Sequence, residues 1–253
     1  MVSKDLGFIL KRFNFRETSV ITTLYLHNYG KIRGILKGFY TPKKEFSSSL
    51  NVFSLNEFIF YPKHSEIWLV SGVDSIREYP ALRSNIAKAR VAGLFANIVD
   101  KVMQLQDPNK QVFALIQRCF DLIDINNEST ILYIFLIKFL TFSGFKPEFG
   151  NCLNCKATLR YERLFSVARG GFICKSCSGA DKDLLLISKQ AWRSLTYIQD
   201  TDFPLVQRLN ISPKCQDEIF YILKEFIAYH FEFDLASYIK NRNLSLTASK
   251  VRV

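Results

Sequence analysis

Four of the six cysteines stand as two CxxC pairs, Cys152 with Cys155 and Cys174 with Cys177, and eighteen residues separate the pairs. A CxxC turn presents two thiolates from one knuckle, so two knuckles supply the four tetrahedral donors that zinc prefers. The spacing is that of a zinc ribbon, and "ARGGF" ahead of the second pair carries the glycines that a tight hairpin needs. Four protein ligands leave no position for water or substrate, so the expected zinc is structural. Free thiols or a redox pair are the alternative reading. A deaminase would need HxE followed by PCxxC, and neither occurs. Arg160, Arg163, Arg169 and Lys175 lie in the same stretch, where they serve either phosphate contact or a solvated basic hairpin.

A second set of residues points to polyanions. Between Thr18 and Lys44 there is no acidic residue, while Lys31, Arg33, Lys37, Lys43 and Lys44 are interleaved with Phe39 and Tyr40. Cations for phosphates and rings for bases are the ingredients of single-strand binding without sequence preference. Lys31, Arg33 and Lys37 are separated by even numbers, so an unbroken strand points them to one face, unless Gly34 or Gly38 introduces a bulge. The competing reading is a solvated strand face with Phe39 or Tyr40 in the core. Catalytic arrangements are missing: His27, His64 and His230 have no ligand spacing and no GxxxxGK[ST] loop is present. No enzymatic activity is expected, although a nuclease site assembled from scattered carboxylates stays open.

These residues must be held by elements of two kinds. From Asp5 to Arg77 the chain reads as about five short β-branched and aromatic strands joined by tight turns, which suits a small closed barrel. An OB-fold is expected, with an SH3-like barrel as the alternative. After Pro80 the period changes, with Val91, Leu94, Phe95, Ile98, Val99 and Val102 on one helical stripe. A second helix follows over Gln111–Asp124, then the apolar run Ile131–Phe142, which reads as a buried core helix. Ser188 and Ser212 mark the starts of later helices, the second running on through "FDLASYIKN", and the tail from Asn241 is expected to fray. Cys119 and Cys215 sit in helical patterns as small buried residues. The reading is an α+β chain: an OB barrel over 1–80, then a helical domain over 81–253 with a zinc module at 148–180 inserted.

Bulk properties agree. The 253 residues are 48% hydrophobic with a formal charge of +11, suiting a globular protein with a polyanionic partner, nucleic acid first among them. The opening "MVSKDLGFILKRFNF" is no signal peptide, and the apolar run is too short for a bilayer, which takes about 20 residues. A cytoplasmic protein without membrane association is expected, and a reducing compartment favours metal over disulfide.

In this order of parts, and in the stretches "YGKIRGILKGFYTPKK", "SGFKPEFGNCLNC", "FSVARGGFICKSC" and "LLLIS", the chain resembles the RecO family of bacterial recombination mediators. The resemblance implies an OB domain that binds single-stranded and also double-stranded DNA, and a helical domain carrying zinc on Cys152, Cys155, Cys174 and Cys177. It implies annealing of complementary strands and, with RecR, assistance to RecA on strands covered by single-strand-binding protein, whose tail is a further partner. It also implies a location at the bacterial nucleoid. The basic OB surface maps by region onto Lys31, Arg33, Lys37, Lys43 and Lys44. Lys156 departs from the pattern, standing where a glycine often follows the first knuckle. A zinc-stabilised protein scaffold and an RNA-binding OB protein are the alternatives.

Overall fold

The computed structural model describes residues 2–41, 50–63, 65–125, 128–159, 163–180, 184–238 and 250–251. Five strands come first: β1 (Ser3–Phe15), β2 (Ser19–Leu26), β3 (Gly30–Leu36), β4 (Leu55–Tyr61) and β5 (Ile67–Arg77). They close into a barrel in the order β1-β2-β3-β5-β4, with β3 and β5 parallel and the other pairs antiparallel. This is the OB-fold, not the SH3-like alternative. Alternate residues fill the interior, among them Val20, Leu24 and Leu26 of β2, Ile32 and Leu36 of β3, Phe58 and Phe60 of β4, and Trp68 and Val70 of β5. Phe60 and Trp68 stack with centroids 5.5 Å apart.

Gly34 makes no bulge, because β2 and β3 pair without interruption from Val20↔Leu36 to Leu26↔Gly30. Its role is close approach: a Cβ there would meet Val70 Cγ2 at 2.7 Å. The irregularity lies in β1 instead, where the register with β2 shifts between Ile9 and Lys11. A one-residue shift inverts which side chains face outward. Beyond it Lys11, Phe13 and Phe15 stand opposite Thr23, Ile21 and Ser19.

Strand gives way to helix at Pro80. Helix α1 (Ala81–Ser84) is a single turn, and α2 (Ile86–Val102) starts at Asn85, whose side chain accepts from the N–H groups of Ala87 and Lys88. Helix α3 (Lys110–Ile125) buries Val112, Leu115, Ile116, Cys119 and Ile123 as its periodicity requires. Packing groups these helices with the barrel in one compact unit, Met1–Asn126. Phe8 of β1 meets Phe113 at 5.2 Å and Phe120 at 5.5 Å, and the buried Tyr79 hydroxyl donates to Asp121 at 2.8 Å.

The second unit, Asn127–Val253, is organised around α4 (Glu128–Phe142), whose residues Tyr133 to Ile137 are fully buried. Lys138 is buried in the same helix, and its ammonium donates to the carbonyls of Gln199 at 2.8 Å and Thr201 at 2.7 Å. Strands β6 (Leu164–Ser166), β7 (Gly171–Ile173), β8 (Leu184–Leu186) and β9 (Lys250–Val251) form a small sheet in the order β7-β6-β8-β9. Helices α5 (Lys189–Asp200), α6 (Phe203–Val206) and α7 (Pro213–Phe231) follow β8 and precede β9. Ser188 caps α5 through the Ala191 N–H, whereas Ser212 makes no capping bond and α7 starts on Pro213 alone.

One expectation is corrected. The last long helix does not run through "FDLASYIKN": Glu232 takes a left-handed conformation, φ 52°, and ends it, leaving a 3-10 turn at Leu235–Tyr238. The tail expected to fray lies largely outside the described residues, and its two described residues pair with β8. Among the described residues no helix is long and apolar enough to cross a membrane.

Candidate metal centre and nucleic-acid interface

The four cysteine sulfurs lie within 4.8 Å of one another, with Cys155 and Cys174 Sγ 3.8 Å apart. Disulfides need about 2.05 Å. Four sulfurs at about 2.3 Å from a tetrahedral centre stand about 3.8 Å apart, so the cluster fits a single metal ion. The first knuckle is shaped by Glu148, whose carboxylate accepts from the N–H groups of Gly150 (2.9 Å) and Asn151 (3.1 Å), and by bonds from Cys152 N to Ala157 O and from Lys156 N to Cys152 O. Lys156 carries φ 60°, the left-handed region, which explains why glycine suits this position. The second knuckle closes with Cys177 N donating to Cys174 O at 2.9 Å.

Charge is unevenly distributed over the sulfurs. Burial pushes the Cys152 thiol up, but the N–H groups of Cys174, Cys155 and Asn154 point at its sulfur and bring it down to about 6. Cys177 is pushed up to about 12, first by its hydrogen bond with Cys174 and then by burial. Burial also raises Cys174. Four adjacent thiolates repel, so the cluster ionises fully only around a cation.

The hairpin of β6 and β7 carries the second knuckle and turns through Gly170, φ 71°. The module is fastened to helices at both knuckles: Trp192 of α5 donates to Phe149 O at 2.7 Å ahead of the first, and the His230 ring of α7 bonds Val167 O of the hairpin at 2.9 Å. Phe165 and Phe172 fill the space beneath. The module therefore sits between α4 and α5 as a braced insertion. Arg163 does not face solvent: it is 8% exposed, with its guanidinium 5.1 Å from the Trp192 ring centroid, so phosphate contact through it is ruled out. Arg169 bonds Asn154, Lys175 is exposed, and Arg160 lies outside the described residues.

On the barrel, the outward residues of β1, β2 and β3 form rows. The row of Phe8, Tyr25 and Lys31 is covered by α2 and α3, with Tyr25 donating to Asn109 O at 3.4 Å. Lys31 has a side chain only 12% exposed; it bonds the Asp100 carbonyl and stands 3.5 Å from the Asp100 carboxylate, which also takes Lys11 at 2.7 Å. Burial lowers its pKa despite Asp100. Lys31 thus shares the outward sense of Arg33 but ties strand to helix. Arg33 is exposed, 3.4 Å from Glu66, and Lys37 is exposed in the turn after β3. Phe39 packs partly against the core with Arg12 over its ring at 5.9 Å, while Tyr40 is 46% exposed and donates to Asn14 at 2.7 Å. Lys43 and Lys44 lie outside the described residues.

The uncovered row was not singled out from sequence. Phe13, 59% exposed, stands opposite Ile21, Ile21 opposite Ile35, Ile35 beside Leu69, and Leu69 opposite the exposed Tyr61, so one apolar row crosses all five strands. Arg16 lies over the exposed Phe15 ring at 5.3 Å on one side, and Arg33 and exposed Ile67 flank the other. "RFNFRE" held the signal, an aromatic and cationic alternation, but the bulge that turns Phe13 outward is not visible in the residues themselves.

Comparison with known proteins agrees with this architecture. The model described as "Recombination protein O N terminal" matches residues 1–79, and that described as "Recombination protein O C terminal" matches 83–239. Among similar proteins, one called "DNA repair protein RecO" from Alkaliphilus metalliredigens is 26% identical over 92% of this chain and 95% of its own length. Proteins of the same name from Syntrophus aciditrophicus (28% identical, 92% of this chain, 93% of theirs) and Desulforamulus reducens (27%, 89% and 88%) match comparably. With both halves matched, an OB barrel in the first and a four-cysteine centre in the second, the chain belongs to the RecO family of DNA repair and recombination proteins.

Proposed function

We propose that this protein is a recombination mediator that binds single-stranded DNA on the outer face of its barrel and anneals complementary strands. With RecR it assists RecA onto strands covered by single-strand-binding protein. The observation that carries this reading is the uncovered row from Phe13 to Tyr61, bordered by Arg16, Arg33 and Lys37. Apolar and aromatic faces take bases without reading their edges, and the bordering cations take phosphates. Bound strands are then neutralised while their pairing edges stay free, so annealing requires neither nucleotide nor catalytic group. The same cations serve duplex phosphates more weakly, since a duplex offers no free base faces. The functional division follows: residues 1–80 contact DNA, and residues 81–253 carry the module of 148–180 and the protein contacts, including the tail of single-strand-binding protein. Its place is the bacterial cytoplasm, at the nucleoid.

Cys152, Cys155, Cys174 and Cys177 would hold zinc. The ion supplies a cross-link between the two knuckles and no reactive position, since all four ligands come from protein. The chain's own contribution is to orient the sulfurs with backbone N–H groups and to brace the module on α5 and α7.

The test is annealing of complementary strands precoated with single-strand-binding protein, without nucleotide, alongside affinity for one labelled strand across a salt series. Acceleration by the wild type is expected. Arg33→Ala with Lys37→Ala should flatten the salt slope by about 0.7 for each phosphate no longer neutralised, and Phe13→Ala should cost about 1–3 kcal/mol at every sequence alike. Absence of DNA binding at low salt, with partner binding intact, would move the reading to a protein scaffold. Preference for RNA in competition would move it to RNA binding.

A further inference from the structure

Unit Asn127–Val253 contains an open groove of about 830 Å³ along α5, reached also by Leu209 and Asn210 of the segment before α7. Lys189, Arg193 and Tyr197 line it at every fourth residue, so they share one face of the helix and follow one another at about 6 Å, close to the phosphate repeat of an extended strand. Among the described residues neither Lys189 nor Arg193 pairs with a carboxylate, unlike Lys31 and Arg33 on the barrel. Among the described residues the groove has one acidic residue, Asp200, which stands 3.8 Å from Lys146. Burial lowers the pKa of Arg163, and the like charge of Arg193 lowers it further. Positive charge is thus concentrated at Lys189 and Arg193, with no carboxylate paired to either among the described residues.

We infer that this groove seats a second nucleic-acid strand. The inference rests on the annealing reading, and it identifies where the partner strand is held. Charge calls for an anion, and the lining chooses among anions. Tyr197 is 43% exposed and offers a ring face one turn beyond Arg193, where a base can stack. Ser194, Thr196 and Asn210 offer hydrogen-bonding groups suited to sugar and phosphate oxygens, while Leu209 is the one aliphatic residue of the lining. An acidic peptide anchored by apolar side chains would need several aliphatic side chains to pack on, and among the described residues the lining offers Leu209 alone. Two seats on one chain place two strands at high effective concentration, which raises the encounter rate without any additional interaction.

The experiment uses the full chain with bromodeoxyuridine-substituted single strands, irradiated and mapped by peptide mass spectrometry, together with binding stoichiometry and annealing rate. Wild type should cross-link both on the barrel and on the peptide containing Tyr197, and should bind two short strands. Lys189→Glu with Arg193→Glu, both on the surface, should abolish the Tyr197 cross-link, reduce binding to one strand and slow annealing on the order of tenfold, as expected when two phosphates go unneutralised. Affinity for the barrel-bound strand should change less than about twofold, because the substituted residues belong to the other unit and contribute nothing to the barrel row. Phe13→Ala with Arg33→Ala should remove the barrel cross-link and keep the one at Tyr197, so failure of the barrel reading is distinguishable from failure of this one. Cross-linking confined to barrel peptides, or unchanged annealing and stoichiometry in the Lys189→Glu, Arg193→Glu protein, would overturn the inference. Displacement of a glutamate-rich peptide by those substitutions, with no strand cross-linked at Tyr197, would overturn it in favour of a protein ligand.

Discussion

Replacing Lys156 by glycine should tighten the first cysteine knuckle, and replacing it by valine should loosen it. The residue holds φ 60° and is exposed, with its N–H donating to Cys152 O at 3.0 Å, so the backbone shape is what matters. A side chain in the left-handed region costs about 1–2 kcal/mol. Glycine removes that cost but adds about 0.5–1 kcal/mol of unfolded-chain entropy, leaving a net gain of about 0.5–1 kcal/mol. Since the knuckle forms together with the metal site, that gain appears as roughly two- to fivefold tighter metal retention. Valine, branched at Cβ, fits the left-handed region worse than lysine and should lose a comparable amount. The assay is competition for zinc with a chromophoric chelator at matched protein concentration, with thermal melting alongside. Retention by Lys156→Gly no better than wild type, or by Lys156→Val no worse, would refute the reasoning that local backbone strain sets the affinity of this centre.

Further predictions concern other parts of the chain. Cys174→Ser should lose zinc and lower the melting transition of the second unit while leaving that of the first unchanged; stoichiometric zinc in the folded variant would sink the assignment. Gly30→Ala should destabilise the first unit by at least about 3 kcal/mol in denaturant titration, because Gly30 has φ 65° and a Cβ would meet Asp107 O at 2.3 Å, combining left-handed strain with a backbone clash. An unshifted midpoint would contradict it. Lys138→Met should cost about 2 kcal/mol by leaving the carbonyls of Gln199 and Thr201 without their donor. Burial lowers the Lys138 pKa from 10.5, so the unfolded chain binds the proton more tightly and wild type should gain on the variant as pH rises through the window just below that value. A stability difference that stays flat across that window would contradict the sign.

The elements built from local patterns were legible in the residues alone. Two CxxC pairs declare a four-thiol centre whatever surrounds them, because the turn geometry is set within four residues. The stripe from Val91 to Val102 and the apolar run of α4 follow from helical periodicity, and the five alternating segments of the barrel from the two-residue period of strands. The resemblance marked Lys156 as standing where a glycine often does, and the backbone, left-handed at that residue, supplies the reason. What the tertiary structure decided was which face of each element is covered. Lys31 and Arg33 have the same parity, yet α2 lies over one and leaves the other open, and no spacing rule contains that distinction. Arg163 reads as one more basic residue of a hairpin until Trp192 is folded beneath it. Packing also groups α1 to α3 with the barrel, whereas the periodicity changes earlier, at Pro80. The bulge between Ile9 and Lys11 reverses the last third of β1 and, with the closure of β3 on β5, assembles the row from Phe13 to Tyr61 out of residues distant in the chain. Periodicity is local and reports what an element is, while register and coverage depend on partners far along the chain, so they exist only once it has folded.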